Sequence, residues 1–370
     1  MPRLRNTLYA RHSRLLVSIA IAILLSGCAA AVSRPASTPT PPPLADELIF
    51  YNWADDMPQS VLDKFSAEYG VKVTYLTYES MEEAVVNMRA GQVYDVVNLD
   101  NRFIPELIKD GQLATIDRAA VPNLKNISAD FRDLVYDPGN KYSVPYNWGT
   151  AGLLVRTDLI TPAVTRWADL WNPQIKGKIA LYRGQPRETI ALTLRALGYS
   201  ANTENPAELE AALNKLLELK PRVVFPESRG EVGCAPLLIE GEVGVAMGYA
   251  YDVRESRDSV ADVDYVLPTD GALLWGENFV IPANSSRRHT AEVFLNFLMR
   301  PDVNAQIANE NFYATANEAA KKYIKAEIRT DPVIFPPAED LKNAEIILPL
   351  SPAGQKLYDD IWARFLAAGE

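Results

Sequence analysis

The sequence predicts an α/β protein of two lobes, each built on a mixed, mostly parallel sheet flanked by helices, the lobes being joined by hinge crossings. Three observations predict it. β-rich and helical segments alternate along the chain, with glycines at several helix ends. Two extended, aromatic-rich runs, Tyr142 to Val155 and Trp275 to Pro282, read as an outward and a return crossing. The chain has 370 residues, ample for two hydrophobic cores.

The elements follow in order. Glu47 to Tyr51 reads as a strand, Pro58 to Tyr69 as a helix closed by Gly70, and Val71 to Tyr78 as a second strand. Met81 to Ala90 is a helix closed by Gly91, Tyr94 to Leu99 a short buried strand, and Phe103 to Lys109 a helix ending near Gly111. This is the grammar of a parallel sheet, which places ligands beyond the carboxyl ends of its strands. Trp53 to Asp56 and Asp100 to Arg102 fall at that edge. Asp137-Pro138-Gly139-Asn140 is a turn.

Beyond the first crossing the segments are Trp167 to Trp171, a strand at Lys178 to Tyr182, and a helix from Glu188 to Leu197. Ala207 to Lys220 is periodic, with Leu209, Leu213, Leu216 and Leu217 on one face. Val243 to Met247 and Tyr265 to Leu267 read as strands. After the return crossing come helices at Ala291 to Met299, Glu318 to Lys325 and Gln355 to Ala367, with Asp302 to Asn309 between the first two.

The first residues read as an export leader. Arg3, Arg5, Arg11 and Arg14 precede an uncharged apolar run, Leu15 to Leu25. That run is shorter than the ~20 residues a permanent span needs. It ends in Leu25-Ser26-Gly27-Cys28, which resembles the bacterial lipobox, whose cysteine carries the lipid. The residues that follow, to Ala45, are rich in Pro, Ser and Thr and lack apolar periodicity; they read as a stiff polar tether. The expected organisation is a signal peptide at 1–27, a tether at 28–45, one lobe at 46–145 and 280–315, and the other at 146–279 and 316–370. Lipid on Cys28 would hold the protein to a membrane, in the periplasm or at the cell surface.

Composition excludes several function classes. The net charge of −10 becomes −14 once the leader, with its four arginines and no acids, is removed. Nucleic acid is therefore not an expected partner. With Cys28 lipidated, Cys234 has no disulfide mate. His289 is the one histidine past the leader, so a histidine triad or zinc site is poorly supported. P-loop, GxGxxG, HExxH and GxSxG patterns are absent, and no cofactor is expected. Asp55, Asp56 and Asp100 supply oxygen ligands of the kind calcium takes, but the EF-hand spacing is missing.

Four segments, taken in order, carry a resemblance. They are Phe50-Tyr51-Asn52-Trp53, Val144-Pro145-Tyr146-Asn147-Trp148-Gly149, Ile281-Pro282-Ala283-Asn284, and Phe297-Leu298-Met299-Arg300-Pro301-Asp302-Val303. From about Glu47 to the C-terminus the chain is similar to the periplasmic polyamine-binding proteins of bacterial ABC importers. Gly248 to Val253, Phe312-Tyr313-Ala314 and Phe335-Pro336-Pro337-Ala338 tilt it to the putrescine-binding branch. The resemblance implies a type II periplasmic-binding-protein fold, a monomer without enzymatic activity, a polyamine ligand between the lobes, and a membrane permease as partner. It implies ligand contacts at Trp53, Asp55, Asp56, Asp100, Glu188, Tyr249, Asp252, Trp275, Glu277 and Tyr313. Tyr249 stands where the family has tryptophan and Glu277 where it has aspartate. Asp56 and Asp100 replace neutral residues. Arg102, close to Asp100, has two readings here: it neutralises Asp100, or it marks a ligand that carries a carboxylate.

Those residue types suit a diamine, which is two cations on an apolar chain. Each ammonium loses its hydration and needs a carboxylate in exchange. Aromatic faces attract the cations, by ~2 kcal/mol at a desolvated site. They also cover methylenes, each worth about 0.8 kcal/mol when buried. Singly, an acid after a strand is as readily a helix cap, and Trp53 or Trp275 as readily core packing. The ordered set is what points to a site.

Overall fold

The computed structural model describes residues 42–368, apart from 55, 230–232 and 261. The leader, Cys28 and the tether up to residue 41 lie outside the described residues.

The first lobe begins with β1 (Glu47–Trp53), α1 (Gln59–Tyr69), β2 (Lys72–Tyr78), α2 (Met81–Arg89), β3 (Val96–Asp100) and α3 (Ile104–Lys109). β1 pairs in parallel with β2, from Glu47 opposite Lys72 to Trp53 opposite Tyr78, and with β3 on its other side. The apolar positions of α1 explain its seat: Val61, Leu62 and Phe65 are buried. Gly70 ends it at φ 70°, a left-handed turn that glycine adopts without a Cβ clash, its N–H donating to the Ser66 carbonyl. α2 starts at Ser80, whose hydroxyl accepts the Glu83 N–H.

A long strand, β4 (Ser143–Arg156), leads to the second lobe, which contains β5 (Lys178–Ala180), α4 (Pro186–Ala196), α5 (Pro206–Leu219), β6 (Val223–Val224), α6 (Ala235–Ile239), β7 (Val243–Gly248), α7 (Ala250–Ser259) and β8 (Val263–Val266). β9 (Leu273–Val280) returns, followed by α8 (Arg288–Leu298), α9 (Pro301–Asn311), β10 (Ala314–Thr315), α10 (Ala326–Arg329), β11 (Glu345–Ile346) and α11 (Pro352–Ala367). Glu318–Tyr323, expected as an α-helix, is a 3-10 turn. α7 was not expected: AYDVRESRDS is strongly polar and carries no apolar stripe to announce a helix.

The strands form one continuous path, β2-β1-β3-β9-β4-β7-β5-β6, with β8 and β10 joined to β4 and β11 to β9. The two crossings lie side by side. β4 and β9 are antiparallel from Ser143 opposite Val280 to Ala151 opposite Leu273, and the register shifts between Pro145 and Trp148. Each lobe has its own core. In the first, Phe50, Phe65, Phe279, Phe294 and Phe297 are buried together. In the second, Leu153, Leu154, Trp167, Ile179, Val245 and Met247 are. α11 covers the second lobe through Tyr358, Ile361, Trp362 and Phe365, against Leu209, Leu213 and Leu216 of α5.

Candidate ligand cleft

Strand ends deliver the first group of side chains. Trp53 closes β1, Asp100 closes β3, and Glu277 of β9 lies opposite Asp100 in the ladder. The Trp53 indole Nε1 donates to Glu277 Oε1 at 2.8 Å. Asn98 Nδ2 donates to Glu277 Oε2 and to Asn52 Oδ1, each at 2.8 Å. Asn52 Nδ2 in turn donates to Asp56 Oδ2 at 2.9 Å. Asn147 Nδ2 reaches Asp56 Oδ1 at 3.5 Å. This is a chain of neutral donors aimed at two acids, Asp56 buried and Glu277 half-buried. Burial raises the Glu277 pKa well above the carboxylate range, and the neighbouring Asp56 charge pushes the same way. Burial raises Asp56 as well, against the hydrogen bonds from Asn52 and Asn311.

Helix starts deliver the second group. Glu188 sits in the first turn of α4 behind a proline, and Asp252 in the first turn of α7, directly after the end of β7. Helix N-termini favour negative charge, which offsets part of the cost of burying these acids. Asp252 Oδ2 accepts the Tyr249 N–H at 2.9 Å, so it does cap its helix. Its other oxygen accepts the Tyr182 hydroxyl at 2.9 Å. Burial raises Asp252 to about 6. Glu188 is buried, and its Oε2 has no hydrogen-bond partner among the described residues. A buried acceptor of that kind carries an uncompensated desolvation cost until a donor reaches it.

Rings lie beside both groups. Trp275 stands edge-on to Tyr313 at 5.2 Å and to Tyr249 at 6.4 Å. Tyr249 lies 5.8 Å from Tyr182. The Trp275 indole rests on Gly149 of the facing crossing: a Cβ there would meet its Cζ2 at 2.4 Å. Trp275 Nε1 is buried and without a hydrogen-bond partner among the described residues.

Arg102 spans the cleft. Its guanidinium nitrogens lie 3.8 Å from Asp100, 3.6 Å from Glu188 and 3.7 Å from Glu82. Burial works against its charge, but the carboxylates of Glu188, Asp100 and Glu82 outweigh it and raise its pKa. Burial also raises Asp100, to about 6, with Arg102 opposing.

The structure thus brings Trp53, Asp56, Asp100, Glu188, Tyr249, Asp252, Trp275, Glu277 and Tyr313 into one connected cluster of contacts and charges. Asp55 lies outside the described residues. Sequence reasoning missed the polar scaffold: Asn52, Asn98, Asn147 and Tyr182. The available signal was an amide in the middle of an apolar strand, as in Val96-Val97-Asn98-Leu99, where a polar side chain must find a buried partner. Among the described residues no group of three or more His, Cys, Asp or Glu could hold a metal ion, and no helix is long and apolar enough to cross a membrane.

Residues 60–336 match the family described as bacterial extracellular solute-binding protein. The chain is 37% identical over 301 residues to the spermidine/putrescine-binding periplasmic protein of Escherichia coli, covering 80% of this chain and 85% of that one. It is 30% identical over 363 residues to the putrescine-binding periplasmic protein SpuD of Pseudomonas aeruginosa, covering 93% and 96%. The crystal structure of the spermidine/putrescine ABC transporter substrate-binding protein PotD from Streptococcus pneumoniae superposes with a TM-score of 0.77 at 29% identity, covering 87% of this chain and 99% of that one.

Proposed function

Because the chain belongs to the bacterial extracellular solute-binding protein family, we propose that it captures a polyamine, putrescine before others, in the cleft described above and delivers it to an ABC-transporter permease. It is a binding protein and not an enzyme. The observation that carries the ligand class is the surplus of buried acid. Arg102 is ion-paired to Asp100, Glu188 and Glu82. Asp56, Asp252 and Glu277 have no basic partner among the described residues, yet all three are buried or held in hydrogen-bond networks. A cationic guest flanked by Trp53, Trp275, Tyr249 and Tyr313 satisfies that surplus.

The division into lobes follows the sequence reading, 46–145 with 280–315 and 146–279 with 316–370, and the ligand stabilises the closed arrangement by its differential affinity for it. The protein works as a monomer, held by lipid on Cys28 at the periplasmic or outer face of a membrane. A thermal-shift screen of putrescine, cadaverine, spermidine, spermine, arginine and γ-aminobutyrate tests the ligand class, since selective binding raises the melting temperature. No shift with any diamine, confirmed by calorimetry, overturns the polyamine reading.

A second reading is prompted by Arg102: a zwitterionic amine whose carboxylate meets the guanidinium. A shift with γ-aminobutyrate larger than with putrescine selects it. A lipoprotein that senses polyamine without transporting it is distinguished by normal putrescine uptake in a deletion strain.

A further inference from the structure

Arg102 leaves the first lobe in the turn after β3, and its side chain ends among carboxylates of both lobes. The turn is fixed from below: the Arg102 N–H donates to Asp100 Oδ1 at 2.8 Å. The guanidinium lies over the Phe103 ring, 4.9 Å from its centroid. Its side chain is 16% exposed, those of Asp100 and Glu188 12% and 9%, and that of Glu82 at the rim 58%. The two well-buried acids come from different lobes, and the space between them is filled by the guanidinium. Its contacts at 3.6 to 3.8 Å are those of charges in register without tight hydrogen bonds. Arg102 Nε and Glu188 Oε2 are both buried without a hydrogen-bond partner among the described residues.

We propose that Arg102 is a specificity-determining residue, a resident cation that holds the position between Asp100 and Glu188 and so confines the ligand to two charges. This deepens the polyamine reading and rests on it. An ammonium at that position needs carboxylate oxygens at ordinary charge-assisted distance, and the guanidinium already occupies the gap. An ammonium placed beside it meets a fixed like charge in a poorly solvated site, where repulsion is strong. A ligand carboxylate fares no better, because three acids surround the one arginine. The remaining acids, Glu277 with Asp56 on one side and Asp252 on the other, serve a diamine. Arginine suits this role because its charge is not lost on burial.

The test is calorimetry with putrescine and spermidine on wild-type protein, Arg102→Gln and Arg102→Lys. Wild type is expected to bind the diamine at least roughly tenfold more tightly than the triamine. Arg102→Gln frees Asp100 and Glu188, and the preference narrows by about tenfold or more. Arg102→Lys keeps the charge and keeps the preference. If Arg102→Gln does not fold, the pair Asp100→Asn with Arg102→Gln removes one of the two stranded acids, leaves Glu188 for the third ammonium, and is expected to narrow the preference in the same direction. A wild-type preference for spermidine, a ratio unmoved by Arg102→Gln and by the pair, or an equal change in Arg102→Lys overturns the resident cation while leaving the polyamine reading intact. Wild type that binds neither amine overturns both.

Discussion

Trp53 and Glu277 are 224 residues apart in the chain, and the indole N–H of one donates to the carboxylate of the other at 2.8 Å. The contact joins the end of the first strand to the return crossing. It aims an acid, its second oxygen held by Asn98, at the same space the aromatic rings border. Glu277→Gln is therefore a sharp substitution. The amide offers one acceptor to two donors, Trp53 and Asn98, and removes the charge. Putrescine affinity is expected to fall by about 10- to 100-fold with the fold retained. Calorimetry showing unchanged binding removes Glu277 from the site.

Asp252→Asn and Glu188→Gln separate capping from binding. Both are expected to lose most affinity: Asp252→Asn leaves an ammonium with too few negative partners, and Glu188→Gln takes a counter-charge from Arg102, so that more of its positive charge faces the ligand. Asp252 also caps α7 and accepts the Tyr182 hydroxyl. The amide keeps one acceptor for these two donors, and a buried donor left unmet costs ~1–3 kcal/mol, so Asp252→Asn is expected to lower the melting temperature, by about 2–4 °C for each kcal/mol lost. Glu188→Gln makes no such loss. Unchanged putrescine binding in both variants refutes the assignment.

Gly149→Ala probes the indole rather than a charge. A Cβ at that position would lie 2.4 Å from the Trp275 ring, so the indole must shift from its place beside Tyr249 and Tyr313. Overpacking of this kind costs ~1–3 kcal/mol. The expected outcome is weaker putrescine binding together with a lower melting temperature. Wild-type affinity in this variant shows that the ring's position is immaterial.

Acidity should act in opposite directions on the free and the loaded protein. Asp100 and Asp252 are raised to about 6 by burial, and burial raises Asp56 and Glu277 too. A carboxylate raised on folding contributes stability that is present below its unfolded value, and is lost as pH climbs through the folded one. Ligand-free protein is thus expected to melt higher at pH 5 than at pH 7. The cation needs the ionised acids, so the shift produced by putrescine is expected to grow from pH 5 to pH 7. A ligand-free melting temperature that rises over this window contradicts a setting in which burial outweighs the partners of these acids.

Much of this architecture was legible because the first lobe follows simple periodicities. Val61, Leu62 and Phe65 mark the buried face of α1, and the crossings announced themselves through long apolar and aromatic runs. The short strands Val223–Val224 and Glu345–Ile346 carry too few residues for any period to show. The acids of the site were found through likeness of the ordered segments to a family, not through spacing. Nothing local distinguishes Asp252 from an ordinary helix cap, and it is also one. Asn98 went unread because its partners, Asn52 and Glu277, lie on other strands and belong to tertiary structure alone.

The laced crossings also set how the cleft can open. β4 and β9 are paired along nearly their whole shared length, so neither can flex without carrying the other, and the ladder slips only between Pro145 and Trp148. Two independent strings would let the halves wobble and twist freely. A ribbon with one soft point permits a swing about a single axis. Under the proposed function, the angle of that swing sets both the width of the entrance and the outline that a membrane partner meets, so occupancy is read from outside without any separate signal.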